Sequence, residues 1–543
     1  MITINREINV GIWMQLHLNQ HLRGEGISRL LAFVIKAARD KGNVNIYIAC
    51  PGWLQEPIKE YLLELDVKMD QKVKFISTGN TPILLRLYNY FSEKRKKKIR
   101  KKKSFKVLIK TIITSEFPLM LLQRILGIRN IGFAFILMLL GLPVFILFLF
   151  LYTIIKFINS IFRLLNRITL FKKIGIFFQD DLYGKIKANA FKNKFSALFF
   201  KLYQLMLDNE FNVLAKKANK TKKIDCWFIP HPGWAHSKKL KKPLVVAVPD
   251  LVYLEFPTKF NDEFSGLLHD RVKELINKAA ATISYSEYVQ KNHVIDKFQK
   301  DQAYVIRHAP IDTLEHLEKL ICRTQLTYEE LINRLISNYQ KKLTKKIGNN
   351  NYISTISFEE IPYLFVSSQV RPHKNYLNLF KAFHILLRKK YRNLKLVITG
   401  SLNQELIEYI DENRLHLDII SVPHLPPRVH AAFYAKAFLT VAPTLFEGGF
   451  PFVFSESMSV NTPVMMSAIP VTVETVHGEL AKKMLFDPYD INQIVEKIEW
   501  ALDNTEELLT DQNLLYSEMK NRTWNDVGEE YISVFEKVCQ PKV

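Results

Sequence analysis

Pro443-Thr444-Leu445-Phe446-Glu447-Gly448-Gly449-Phe450-Pro451-Phe452-Val453-Phe454-Ser455-Glu456-Ser457-Met458-Ser459-Val460-Asn461-Thr462-Pro463-Val464 decides how the chain is read. An apolar run, Phe438 to Ala442, leads into it; a loop with two glycines separates two glutamates, and a helix-compatible pattern follows. The order is strand, loop, helix start. Free backbone N–H groups and the positive dipole end at a helix start suit a phosphate-like anion. Carboxylates on either side of the loop each accept hydroxyl donors. The stretch therefore predicts a site for a ligand carrying both phosphate and neighbouring hydroxyls.

Length and charge set the frame. At 543 residues the chain is long enough for two to four domains. Its 76 Lys and Arg against 53 Asp and Glu give a net charge of +23, which favours phosphorylated ligands, anionic lipid or nucleic acid and says nothing of fold. Distribution narrows this. The run Lys94 to Lys103 is almost wholly cationic and precedes apolar sequence, the pattern of a segment facing an anionic membrane surface. No aromatic-rich basic platform accompanies it, so no nucleic-acid partner is expected. Cys50, Cys226, Cys322 and Cys539 have no paired spacing, which argues against a disulfide framework or zinc site and fits a reducing cytosol. The first residues carry no secretory signal pattern.

From Ile131 to Ile155 there is no charged residue, a length sufficient for one helical crossing of a bilayer. Gly141-Leu142-Pro143 interrupts it, and Arg124, Arg129, Lys156 and Arg163 flank both ends. Two short apolar helices with both ends on the cytoplasmic side are expected: a re-entrant hairpin, or a pair of spans completed by Phe105 to Ile128. Amphipathic sequence from Phe157 to Phe200 suits an interfacial position. The expected location is the cytoplasmic face of the plasma (inner) membrane, monotopic or as a hairpin.

Elsewhere short apolar runs alternate with helical patterns. Strands are expected at Ile8 to Trp13, Val44 to Ala49, Cys226 to Ile229, Leu244 to Val248, Thr282 to Ser284 and Ala303 to Ile306, with a helix at Leu30 to Lys41. A second series runs Tyr363 to Ser367, a helix Tyr376 to Lys390, Leu394 to Thr399, and Phe438 to Ala442. Such alternation predicts α/β architecture with parallel sheets and ligands at the carboxyl ends of the strands. The expected domains are 1–91 with 208–340, a membrane-associating insertion at 92–207, a polar linker at 341–361, a second Rossmann-like domain at 362–520, and a terminal segment 521–543 whose helix begins at Trp524.

The chain resembles glycosyltransferase family 4, a retaining family with the GT-B fold. The resemblance rests on Gln369-Val370-Arg371-Pro372-His373-Lys374-Asn375, the strand ending at Gly400, the two-glutamate loop, Ile469-Pro470-Val471 and Leu485-Phe486-Asp487-Pro488. Weaker matches are Gly24-x-Gly26-Ile27-Ser28-Arg29, Val248-Pro249-Asp250-Leu251, Ser284-Tyr285-Ser286 and Arg307-His308. It implies two Rossmann-like domains facing across a cleft, with the helical insertion outside the common pattern, and a terminal helix packed back on the first domain. It also implies transfer of a sugar from a UDP- or GDP-linked donor, a co-substrate rather than a resident cofactor, held mainly by the C-terminal domain. Glu447 would accept donor-sugar hydroxyls, Glu456 the ribose, and Lys374 would face the diphosphate. Gly448, Gly449, Gly24, Gly26 and His424 would line the donor site.

Three departures stand out. Eight residues, not seven, separate Glu447 from Glu456. The family's phosphate arginine is absent at its usual place, where Gln369 or Ser368 stands, leaving Arg371 as substitute. The family histidine near the reacting carbon is replaced by Pro249, with His231 as the nearest stand-in. No Asp-x-Asp ends a strand, so a metal-independent reaction is expected. The expected function is transfer to a lipid-linked or membrane-proximal glycan acceptor; a catalytically degenerate scaffold that binds a partner or lipid is the alternative.

Overall fold

The computed structural model describes residues 7–17, 26–86 apart from 66, 68 and 69, 188–258, 263–347, 352 and 356–540. Gly24, the basic run at Lys94 to Lys103 and the apolar run at Ile131 to Ile155 lie outside the described residues. Among those described, no helix is long and apolar enough to cross a membrane.

Two parallel sheets form the frame. The first contains β1 (Ile8–Trp13), β2 (Val44–Cys50), β3 (Val73–Ser77), β4 (Cys226–Ile229), β5 (Leu244–Val248), β6 (Ala281–Ser284) and β7 (Ala303–Val305), ordered β3-β2-β1-β4-β5-β6-β7. The second contains β8 (Tyr363–Val366), β9 (Lys395–Ile398), β10 (Ile419–Ser421), β11 (Leu439–Ala442), β12 (Val464–Ser467) and β13 (Leu485–Phe486), ordered β10-β9-β8-β11-β12-β13. These short strands read as continuous apolar runs because helices cover both sheet faces: every residue of β4, β5, β8, β11 and β12 is buried. In both sheets the strand order reverses beside the first strand, at β1/β4 and at β8/β11. Those reversals open crevices at the carboxyl strand ends, where such sheets bind ligands. The expected α/β, two-sheet GT-B architecture is the one observed.

Two expectations about boundaries change. The polar stretch taken for a linker is helix as far as Ile347, part of Tyr328–Ile347. Its lysines and glutamine are good helix formers, and Leu343 is buried while the Tyr339 hydroxyl donates to the Pro423 carbonyl at 2.7 Å. The end of the supposed insertion belongs to a helix, Ala188–Lys220, whose Tyr203, Met206, Leu207 and Phe211 pack with Leu85 on the N-terminal domain.

The helix Trp524–Cys539 lies on the N-terminal domain although it follows the C-terminal one in sequence. Thr523 and Asp526 form a capping box at its start. Tyr531 and Phe535, both fully buried, pack against Phe228 of β4, the first edge-on and the second tilted, with ring centroids 5.4 and 5.5 Å away. Each such ring contributes roughly 2–3 kcal/mol by leaving water. Gly528 permits the contact with the helix Gly26–Lys41, since a Cβ there would stand 2.2 Å from that of Ala37.

Candidate active site

The two carboxyl-end crevices meet in a cleft of about 360 Å³. Arg29 and Tyr61 enter it from the N-terminal domain, Trp524 from the terminal helix, and Arg371, Lys374, Glu447 and Glu456 from the C-terminal domain. Thus Arg371, Lys374, Glu447 and Glu456, the residues expected at the phosphate, sugar and ribose, share one space.

Lys374 gets there by way of β8. After Val366 the chain makes an irregular loop and a single 3₁₀ turn, Pro372–Lys374, before Asn375 takes the left-handed region at φ 56° and starts the helix Tyr376–Arg388. Asparagine tolerates that conformation, and its Nδ2 donates to the Pro488 carbonyl at 2.7 Å, fixing the turn. The β11 loop is tied to this turn, because the Leu445 N–H and Thr444 hydroxyl donate to the His373 carbonyl at 2.7 and 3.2 Å. The two loops therefore move together, and Lys374 Nζ forms an ion pair with Glu447 Oε1. Beneath it the buried His373 has its pKa lowered to about 4, by burial first and by the Lys374 charge second. Arg371 is exposed, its Nη2 donating to Gln369 Oε1 at 2.9 Å.

Glu456 sits in a seven-residue helix, Phe452–Met458, started by Pro451. One carboxylate oxygen accepts from the Tyr434 hydroxyl at 3.0 Å; the other lies 3.7 Å from Arg29 Nη1 of the N-terminal domain. Burial and the Glu456 charge together push the Tyr434 phenol well above its ordinary range, so it remains a donor. Close by, His430 Nε2 and the Ser367 hydroxyl are 2.7 Å apart, and burial lowers the His430 pKa.

Gly448 and Gly449 face the other domain. A Cβ on Gly448 would stand 1.7 Å from the Pro249 carbonyl oxygen, and one on Gly449 would stand 2.9 Å from Tyr285 Cβ. The glycines give the Glu447 loop room to lie directly on the N-terminal domain. His231, after β4, has Nδ1 accepting from the Gly233 N–H at 3.0 Å, which puts its proton on Nε2; burial lowers its pKa, opposed by Asp250. It is not among the residues that line the cleft. Neither is His424, exposed at φ 61° in the loop after β10. Gly26 is the first residue of its helix.

Sequence reasoning gave no role to Asp250, Arg29 or Tyr434. Asp250 follows Pro249 at the end of β5, is exposed, and acts electrostatically on both His231 and His373. Its position after an apolar strand was the available signal. For Tyr434, 22 residues from Glu456, there was none.

Two parallel sheets facing across this cleft make the GT-B fold, and the family match to glycosyl transferases makes its class that of a glycosyltransferase enzyme. Residues 349–513 match the family model described as glycosyl transferases group 1. Among solved structures, Anabaena HepE in complex with UDP-glucose aligns at 12% identity with a TM-score of 0.51, over 98% of this chain and 100% of that one. Its complex with UDP aligns at 11% identity and a TM-score of 0.50, with the same coverage. A glycosyltransferase from Rickettsia africae aligns at 12% identity and a TM-score of 0.49, over 99% of this chain and 100% of that one. No curated protein matches the sequence.

Proposed function

We propose that the protein is a retaining glycosyltransferase, akin to family 4, that moves a sugar from a nucleotide-linked donor to a lipid-linked or membrane-proximal glycan in envelope polysaccharide or glycolipid synthesis. The observation that carries the donor half is the Lys374–Glu447 ion pair at the β8/β11 crevice, with Arg371 on the same loop. An incoming diphosphate competes for Lys374, and the sugar hydroxyls then replace the ammonium as partners of Glu447. Ligand binding thus exchanges one ion pair for two sets of contacts without stranding a charge. As the bond to the sugar breaks, negative charge collects on the departing diphosphate, where the fixed cations Lys374 and Arg371 stabilise it more than they stabilise the ground state. Glu456, already held by Tyr434, receives the ribose hydroxyls. His231, beside the Asp250 charge, takes part of the role of the family histidine near the reacting carbon.

Sequence supports the acceptor half. The uncharged run Ile131 to Ile155 and the cationic run before it join the N-terminal domain to an anionic membrane surface at the cytoplasmic face. UDP-linked donors are the first to test, since the HepE structures hold UDP and UDP-glucose. The deciding experiment is a donor screen that reads released nucleotide from the full chain in membranes or detergent. Turnover with one UDP- or GDP-sugar, abolished in Glu447→Gln, is expected. Silence with every common donor would sink the proposal.

A further inference from the structure

Glu447 belongs to the C-terminal domain, yet the backbone around it is gripped by the N-terminal one. The Ser286 hydroxyl, on a side chain that is 2% exposed, donates to the Gly448 carbonyl at 2.9 Å. Ser286 Oγ in turn accepts from the Val289 N–H at 3.2 Å, which anchors the serine to a π-helical turn, Val289–Ile295. From that turn His293 stacks on Phe446 with centroids 5.4 Å apart, while its Nε2 lies 2.7 Å from Glu255 Oε1. Phe446 and Gly448, the neighbours of Glu447 on either side, are therefore both held by one N-terminal segment. Glycine at 449 lets Tyr285, next to Ser286, approach, and glycine at 448 makes room for the Pro249 carbonyl of the same domain.

We infer that Ser286 is a positioning residue for transfer: it fixes the loop that carries Glu447, so the carboxylate reaches its working place only when the N-terminal domain lies against it. The inference rests on the assignment of Glu447 to the donor sugar. The clamped Gly448 and Gly449 belong to the eight-residue stretch between the two glutamates. The clamp separates the two halves of the ligand. Nucleotide binds to Lys374 and Glu456 without Ser286, whereas turnover needs the clamp. Preorganisation of this kind acts on the chemical step, where a small displacement of a sugar-facing group is costly.

The test uses the full chain, with UDP as the binding probe and the donor found by screening as substrate. Ser286→Ala removes the hydroxyl that donates to the half-buried Gly448 carbonyl and is expected to lower kcat about tenfold or more. The UDP Kd and the donor KM should stay within about twofold of the wild type. Ser286→Thr, which restores the hydroxyl, should recover most of the rate. An unchanged kcat in Ser286→Ala, or a fall in UDP affinity that matches the fall in kcat, would overturn the inference. If Ser286→Ala does not fold, Gly448→Ala tests the same clamp from the other side: lost kcat with UDP affinity kept supports it, and full kcat overturns it. Glu447→Gln separates the two claims. Full activity there removes the underlying assignment, whereas a dead Glu447→Gln beside a fully active Ser286→Ala removes only the clamp.

Discussion

The two walls of the cleft are built from different materials. The C-terminal wall presents charge on the connections after buried strands: Lys374 between β8 and its helix, Glu447 in the loop after β11, and Glu456 on the helix that leads to β12. The N-terminal wall grips mainly by backbone and rings. Pro249 and Tyr285 receive the two glycines, His308 stacks parallel on Phe452 at 5.2 Å, and Trp524 stacks on Phe33 at 4.3 Å. Only Arg29 carries charge across to a site glutamate among the described residues. The contrast teaches a division of labour, with donor chemistry on one wall and its alignment on the other.

The sharpest way to break that division is to remove the chemistry. Glu447→Gln and Lys374→Ala should each reduce transfer by about a hundredfold or more, the size expected when a group aimed at developing charge is deleted. Both side chains are about one-fifth exposed, so Lys374→Ala, which strands the Glu447 carboxylate, should also lower the thermal midpoint, and the neutral Glu447→Gln should lower it less. Nucleotide-release kinetics beside a melting curve checks both halves, and near-normal turnover in the two variants would place the chemistry elsewhere.

Alignment is broken next through the terminal helix. Gly528→Val forces a side chain where Ala37 Cβ already stands, so the helix must lift from Gly26–Lys41 at a cost of about 1–3 kcal/mol. Urea unfolding should show that loss. Turnover should fall further than UDP binding, because Trp524, which lines the cleft, rides on the same helix.

How much of this the sequence foretold follows the same contrast. Strands β1, β4 and β5 appeared with their observed ends because each is a buried apolar run bounded by polar residues. The unforeseen strands β3, β10, β12 and β13 are short or carry few apolar residues, or lie inside a motif that read as helix; β13 has two residues. The charged wall was legible because Glu447 and Glu456 lie in one local motif and the family resemblance implied a place for Lys374 beside them. The aligning wall was not: Ser286 and Gly448 are 162 residues apart, and nothing periodic links them. The resemblance implied that Lys374 and Glu447 share a site, but not that they would pair with each other.

Titration tests the aligning wall without mutating it. His308 is held neutral by burial, with the Arg522 charge adding to the effect, and its pKa is lowered to about 3; the His373 value falls to about 4. An unfolded histidine titrates near 6.5, so below that pH the unfolded chain takes up protons that the folded one refuses. Stability is therefore full above about pH 6.5 and declines as pH falls towards 4 for His373 and 3 for His308. By pH 5 the loss at His308 alone is about 2 kcal/mol. Urea midpoints at pH 7 and pH 5 measure the sum, and His308→Phe, which keeps the stack, should flatten the slope.

Arg29 gives the smallest effect and the finest distinction. Its guanidinium is 41% exposed and 3.7 Å from Glu456, a geometry worth no more than about 1 kcal/mol in water. If the N-terminal wall only aligns, Arg29→Ala should weaken UDP binding by less than about fivefold, since Glu456 keeps the Tyr434 hydroxyl. The difference should shrink further in high salt, which screens an exposed pair. A loss well beyond tenfold that survives salt would mean that Arg29 touches the nucleotide itself. The N-terminal wall would then bind donor as well as place it, and the cleft would close around the ligand from two charged sides rather than from one.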